Sequence, residues 1–155
     1  MLKQRISLQS VPGAYEVLRR VEEYVHNSGL EPSLLTLAKM RASQINGCAF
    51  CLDMHSKEAR KLGETEQRLY LLNAWRESPL YTERERAALA WTEALTLISE
   101  THAPDEVYEQ ARAQFSEKEL VDLNFCVVAI NCWNRLCVPF RVPVGSYKVG
   151  EVPKL

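Results

Sequence analysis

Apolar side chains return at every third or fourth position from Tyr15 to Leu136, and no segment alternates at period two for long enough to make a strand. A chain patterned this way can bury its apolar faces only by packing helix against helix. Punctuation divides the pattern. A first helix over Ala14–Asn27 stops at Ser28-Gly29, and a second opens at Pro32-Ser33 and ends near Asn46-Gly47. A third runs to Leu62-Gly63, and Thr65 is placed to cap a fourth containing Leu69, Leu72 and Trp75. After the break at Ser78-Pro79, Thr82 with Glu85 forms one capping box, opening a helix through Ile98. A short helix follows over Glu106–Gln114, and a second capping box at Ser116 and Glu119 starts a long apolar one that Pro139 ends at the latest. The expectation is an all-α single domain, 1–155, of six to seven helices. Residues 1–12 read as an N-terminal arm, and 141–155, with Pro143, Gly145, Gly150 and Pro153, as an extended C-terminal tail.

Composition narrows the function classes. Nineteen Lys and Arg against twenty Asp and Glu leave a formal charge of -1, which argues against nucleic acid or an anionic membrane as partner. The longest purely apolar stretch, around Phe125–Ile130, is far shorter than a membrane span. The N-terminus lacks the long apolar region of a secretory leader, and five cysteines is an odd number, so the chain is expected in the reducing cytoplasm without a disulfide framework.

Chemistry concentrates in Met40-Arg-Ala-Ser-Gln-Ile-Asn-Gly-Cys48-Ala-Phe-Cys51-Leu-Asp-Met-His55. Asn46-Gly47 marks a place where the chain takes positive φ cheaply, just past a helix end. The helical pattern then resumes, so Cys48, Cys51 and His55 share one face of a new helix. That is the geometry of a reactive dithiol beside a proton carrier. The same three residues could be zinc ligands, but a structural site wants a fourth and none is visible in the sequence. Attachment of c-type haem is excluded, because Leu52 rather than His follows Cys51. No metal and no cofactor is therefore expected. Cys126, Cys132 and Cys137 fall in the apolar last helix and read as core thiols, with Cys126 and Cys137 lacking any partner at disulfide spacing. His26 and His102 read as surface residues, and Glu83-Arg84-Glu85-Arg86 as a solvated first turn.

The block from Leu37 to His55 closely resembles the AhpD-like alkylhydroperoxidase family, part of the carboxymuconolactone decarboxylase superfamily. Thr82-Glu-Arg-Glu-Arg-Ala-Ala-Leu-Ala-Trp-Thr-Glu-Ala-Leu and Ala129-Ile-Asn-Cys-Trp-Asn-Arg-Leu are similar to the same family, so the likeness spans about residues 14–145. The resemblance implies a compact helical fold, homo-oligomers (trimer or hexamer), and reduction of a small organic hydroperoxide. It implies Cys51 as peroxidatic cysteine, Cys48 as resolving cysteine and His55 as proton relay. The reductant it implies is a dithiol, such as a lipoylated or thioredoxin-like protein. Cysteines three apart on a helix have Cα atoms about 5–5.5 Å apart, within disulfide range. Two positions depart from the family pattern: Thr36 stands where a glutamate is usual, and Phe50 where the better-studied members have histidine. Glu93, set among Leu89, Ala90 and Leu97, is the expected replacement acid. The alternative readings are a carboxymuconolactone decarboxylase-like enzyme, a branch that generally lacks the cysteine pair, and a non-catalytic thiol redox sensor.

Overall fold

The computed structural model describes residues 3–153 and 155. Among them it has eight helices and no strand: α1 (Pro12–His26), α2 (Pro32–Ile45), α3 (Ala49–Lys61), α4 (Glu66–Leu71), α5 (Glu83–Thr96), α6 (Ile98–Thr101), α7 (Asp105–Arg112) and α8 (Glu117–Phe140). Met1, Leu2 and Lys154, at the ends of the expected arm and tail, lie outside the described residues. Helix α1 begins at Pro12, inside the expected arm, with proline in the first turn where its missing N–H costs nothing. The eighth helix, α6, exists because Leu97 leaves helical geometry (φ -103°, ψ 34°) and splits the segment expected to run unbroken through Ile98.

Helix α2 is the axis. It is buried on every side, with Leu34, Leu35, Leu37, Ala38, Met40 and Ala42 all enclosed, and it packs on α3, α5 and α8. Around it the core has three parts. Val25, Leu34, Ala38, Ala87, Phe115 and Leu123 join α1, α2, α5, α7 and α8. Leu37, Met40, Leu72, Trp75 and Leu89 join α2 to the 66–75 segment and α5. Leu8, Phe50, Ile130, Trp133, Val142 and Leu155 close the third part between α3, α8 and the two chain ends. Of the apolar residues that define the period of α1, Val17 and Tyr24 lie exposed, and Val25 is the one fully enclosed.

Both capping boxes form as the spacing predicts, Thr82 with Glu85 and Ser116 with Glu119, and Thr65 accepts from the Arg68 amide. Helix α8 runs one residue past Pro139, which costs it a single backbone hydrogen bond near its end. By length and composition alone α8 could cross a membrane, which the shorter apolar stretch at Phe125–Ile130 did not reveal. Its buried Asp122 and Asn134, and its packing on α1, α2, α3, α5 and α7, make it the central rib of the bundle.

Two expectations need correction here. The charged run at the start of α5 is more than a solvated turn: Arg86 reaches the carbonyls of Trp75, Arg76 and Ser78, and Arg84 bridges Glu31 and Glu119. Glu93 is likewise structural. Its carboxylate accepts from Arg41 Nε (2.7 Å), Trp75 Nε1 (2.8 Å) and Arg76 Nη2 (2.6 Å), tying α2 and the 72–76 turn to α5. Burial works to raise the Glu93 pKa, but these donors outweigh it and hold the group ionised.

The turn between α2 and α3 is a Schellman motif. The Gly47 amide donates to the Gln44 carbonyl (3.3 Å), the Cys48 amide donates to Ser43 (3.0 Å), and Gly47 sits at φ 65°. Nothing lies within 4 Å of a Cβ added there, so only backbone conformation penalises a side chain. Gly47→Ala is expected to destabilise the fold by about 1–2 kcal/mol, read from urea unfolding followed by circular dichroism.

Candidate active site

Helix α3 begins immediately after that turn. Cys48 is its N-cap residue, with extended backbone, and Cys51 lies in its first turn, so both sulfurs sit where unsatisfied amides favour negative charge. Their Sγ atoms are 2.7 Å apart. The Sγ of Cys137, from α8, completes a trio whose members all lie within 4.8 Å of one another. All three side chains are buried. Cys137 thus has two partners within reach, against the expectation that it has none. The missed signal is its place on the buried stripe Ile130, Trp133, Asn134, Cys137, which shows a face but not what that face meets.

Three sulfurs this close titrate as one system. Hydrogen bonds from Cys137 and Cys51 stabilise a thiolate at Cys48 and pull its pKa down to about 3, aided by the Asn134 amide. Losing a second proton is opposed by the first charge. Cys51 gains from its bond with Cys137 but is pushed up to about 12 by Cys48 and by burial, and Cys137 is pushed up by both neighbours. The trio therefore holds one readily formed anion shared among hydrogen-bonded thiols. Cys126 behaves as expected of a core thiol: burial, against the pull of the Lys39 charge, pushes it up to about 12.

Access decides which sulfur reacts. Cys51 and Cys137 line a cavity of about 410 Å³, whereas Cys48 lies behind them. On the same wall, one turn after Cys51, stands His55, 3% exposed. Its Nδ1 is 2.7 Å from Glu58 Oε2, and Tyr147 donates to the other oxygen at 2.8 Å. Burial works to raise the Glu58 pKa, but the bonds from His55 and Tyr147 override it and hold the carboxyl below its usual range. An ionised carboxylate only accepts, so the hydrogen of this pair sits on Nδ1. That leaves Nε2 buried and without a protein partner.

The carboxylate that faces His55 is thus Glu58, and the expected Glu93 is not part of this wall. The signal for Glu58 was present in the sequence, since residues three apart on a helix are neighbours. Thr36 is buried and bonded back to the Pro32 carbonyl, and Phe50 gives the cavity an apolar side. Across from them, Lys39 pairs with Glu22 of α1, whose other oxygen accepts from Trp133 Nε1 at 3.0 Å. Residues of the tail, Tyr147, Val152, Pro153 and Leu155, form the remaining wall. For a metal, the three sulfurs offer thiolate ligands, and no fourth ligand group joins them among the described residues.

The carboxymuconolactone decarboxylase family model matches residues 12–94, which covers α1 to α5 and the cysteine turn. The chain is 42% identical over 138 residues to the uncharacterized protein YdfG of Bacillus subtilis, covering 88% of this chain and 94% of that one. It is 30% identical over 125 residues to the uncharacterized protein YnjA of Escherichia coli, with 80% and 68% covered. Among solved structures, it superposes with a TM-score of 0.90 and 49% identity on ATU0492 of Agrobacterium tumefaciens, covering 94% of this chain and 100% of that one. That protein is of unknown function and has been suggested to be the antioxidant defence protein AhpD. The debrominase Bmp8 shares the fold alone, at a TM-score of 0.80 and 18% identity, with 90% and 75% covered. With the family model matching more than half of its length and the cysteine turn inside the matched region, this chain belongs to the carboxymuconolactone decarboxylase family, in its AhpD-like branch.

Proposed function

We propose that this protein is a thiol peroxidase that reduces small organic hydroperoxides through a Cys48–Cys51 dithiol/disulfide cycle. The observation that carries the reading is the shared wall. Cys51 opens onto the same cavity as His55, whose Nδ1 is fixed by Glu58 and whose Nε2 is unpartnered.

The Cys51 thiol passes its proton to the adjoining Cys48 thiolate, and the Cys51 thiolate so formed attacks the distal oxygen of ROOH. The O–O bond breaks, Cys51 becomes a sulfenic acid, and the alkoxide leaves as ROH with a proton delivered through His55. Cys48, at 2.7 Å, then attacks the sulfenic sulfur, the S–O bond breaks, the hydroxide leaves with the Cys48 thiol proton as water, and the disulfide forms. An external dithiol, such as a lipoylated or thioredoxin-like protein, returns two electrons and two protons. A reducing compartment such as the cytoplasm is part of this reading, because the cycle stalls without that donor. The apolar wall of Phe50, Met54 and Trp133 suits an alkyl or aryl R group. Val121, Phe125 and Val128 form an exposed apolar stripe on α8, which supports self-association as the second part of the proposal.

Sustained consumption of cumene hydroperoxide with dithiothreitol is expected in the wild type and lost in Cys51→Ser. Consumption that stops after one equivalent would overturn the catalytic cycle in favour of a thiol sensor. His55→Ala is expected to slow turnover by about 100-fold. Glu58→Gln should slow it by at least about tenfold, through loss of the fixed ring tautomer. Glu93→Gln should leave turnover near wild type while lowering stability by about 2 kcal/mol, as measured by urea unfolding.

The depressed first pKa of the trio sets a pH signature. The Cys48 thiolate persists above a pKa of about 3, so the anion of the trio is still present as pH falls from 8 to 5, and its exchange with the Cys51 thiol takes no proton from solvent. Thiolate-dependent reaction with hydroperoxide is expected to stay nearly flat over that window, measured by stopped flow at single turnover. An ordinary thiol of pKa about 8.5 would lose roughly tenfold per unit below it.

A further inference from the structure

We propose that Cys137 is a third redox sulfur of this site, a second resolving thiol that joins Cys51 to α8 when Cys48 does not. This rests on the trio itself and not on the identity of the oxidant.

Three observations converge. The Sγ atoms of Cys48, Cys51 and Cys137 all lie within 4.8 Å of one another, a gap that rotation about a Cα–Cβ bond can close. Cys137 and Cys51 line the cavity together, while Cys48 does not. An oxygen added to Cys51 projects into that cavity, so the thiol beside it on the exposed wall is Cys137. Finally, the end of α8 has room to adjust. Pro139, two residues after Cys137, removes one backbone hydrogen bond from the last turn.

The step balances without another reagent once Cys51 is oxidised. The Cys137 sulfur attacks the sulfenic sulfur, the S–O bond breaks, and hydroxide leaves with the thiol proton as water. The Cys137 sulfur is oxidised by one electron equivalent and the Cys51 sulfur is reduced by one. The two disulfides differ in consequence. Cys48–Cys51 closes within one turn of one helix and constrains little beyond it. Cys51–Cys137 staples α3 to α8 across a long stretch of chain, removing more freedom from the unfolded state. The site thus has a local oxidised state and a cross-linked one.

The test oxidises Cys48→Ser with diamide, which takes two electrons and two protons from a thiol pair without peroxide chemistry. Tryptic mapping separates the partners, since Cys51 lies in Ala42–Lys57 and Cys137 in Leu136–Arg141. The expected result is a disulfide between those two peptides, with loss of both the Cys51 and the Cys137 alkylation signals. A higher melting temperature than the reduced variant is also expected, reversed by dithiothreitol. Recovery of Cys137 as a free, alkylatable thiol while Cys51 is oxidised or unchanged would overturn the proposal. Should Cys48→Ser lose its helical circular dichroism, Cys48→Ala decides by the same digest. A Cys51–Cys137 peptide with diamide, alongside a wild type that consumes no cumene hydroperoxide, would support the third sulfur and overturn only the peroxidase reading.

Discussion

The Asn46-Gly47 turn is the constraint on which the site depends. Gly47 at φ 65° lets α2 end and α3 begin with three residues between them, which aims the α3 N-terminus at the bundle interior. The turn is held from the other side by α8. Asn46 Nδ2 donates to Asn131 Oδ1 (3.0 Å) and Asn134 Oδ1 (2.9 Å), and Asn134 Nδ2 donates to Ser43 Oγ (3.1 Å). Asn134, 1% exposed, has its amide engaged on both sides, so the polar network satisfies itself in a place where an unpaired group would be costly. The same contact positions the buried stripe of α8, and with it Cys137, over the two cysteines of α3. Backbone geometry at one glycine and three asparagine amides therefore set where three sulfurs meet.

Burial and reactivity pull against each other at such a site. A thiolate enclosed by apolar side chains would ordinarily be disfavoured, as Cys126 illustrates. The trio escapes this by sharing one charge among three hydrogen-bonded sulfurs at a helix start, beside an amide. Four ionisable groups of the wall are held in pairs: Lys39 with Glu22, and His55 with Glu58. Burial works against the Lys39 charge, but the Glu22 carboxylate outweighs it and raises the pKa. Among the described residues, His55 Nε2 is the buried side-chain polar atom of this wall without a protein partner.

What could be read from the chain, and what could not, divides along sequence separation. Helix starts at Thr65, Thr82 and Ser116 are encoded within three residues, and the Gly47 turn within two, so these were legible. The face shared by Cys51 and His55 follows from helical pitch over one turn, whereas Cys48, at the N-cap, lies behind it rather than on it. Cys137 was read as an isolated core thiol because its partners come from a segment more than eighty residues away, and periodicity reports a buried face without naming what lies opposite. Glu93 misled for a related reason. A lone carboxylate in an apolar helix does signal partial burial, but its donors Arg41, Trp75 and Arg76 come from two other segments. Glu22 carries no local mark at all, since its pairing with Lys39 exists only once α1 lies across α2.

The displaced acid has a physical rationale. What orients His55 is a carboxylate at hydrogen-bond distance from Nδ1, and the pitch of α3 places residue 58 there directly. A glutamate at position 36 would instead stand one turn before Lys39, whose ammonium is already taken by Glu22 from α1. Two carboxylates and Glu58 around a single buried ammonium would leave uncompensated negative charge beside the three sulfurs. Threonine at 36 avoids that: its hydroxyl is satisfied by the Pro32 carbonyl within its own helix and adds no charge. The acid and the histidine then travel together on α3, anchored to the tail by Tyr147. The geometry of the imidazole is thereby tied to the helix that carries the sulfurs and to the segment that walls the cavity, rather than to α2.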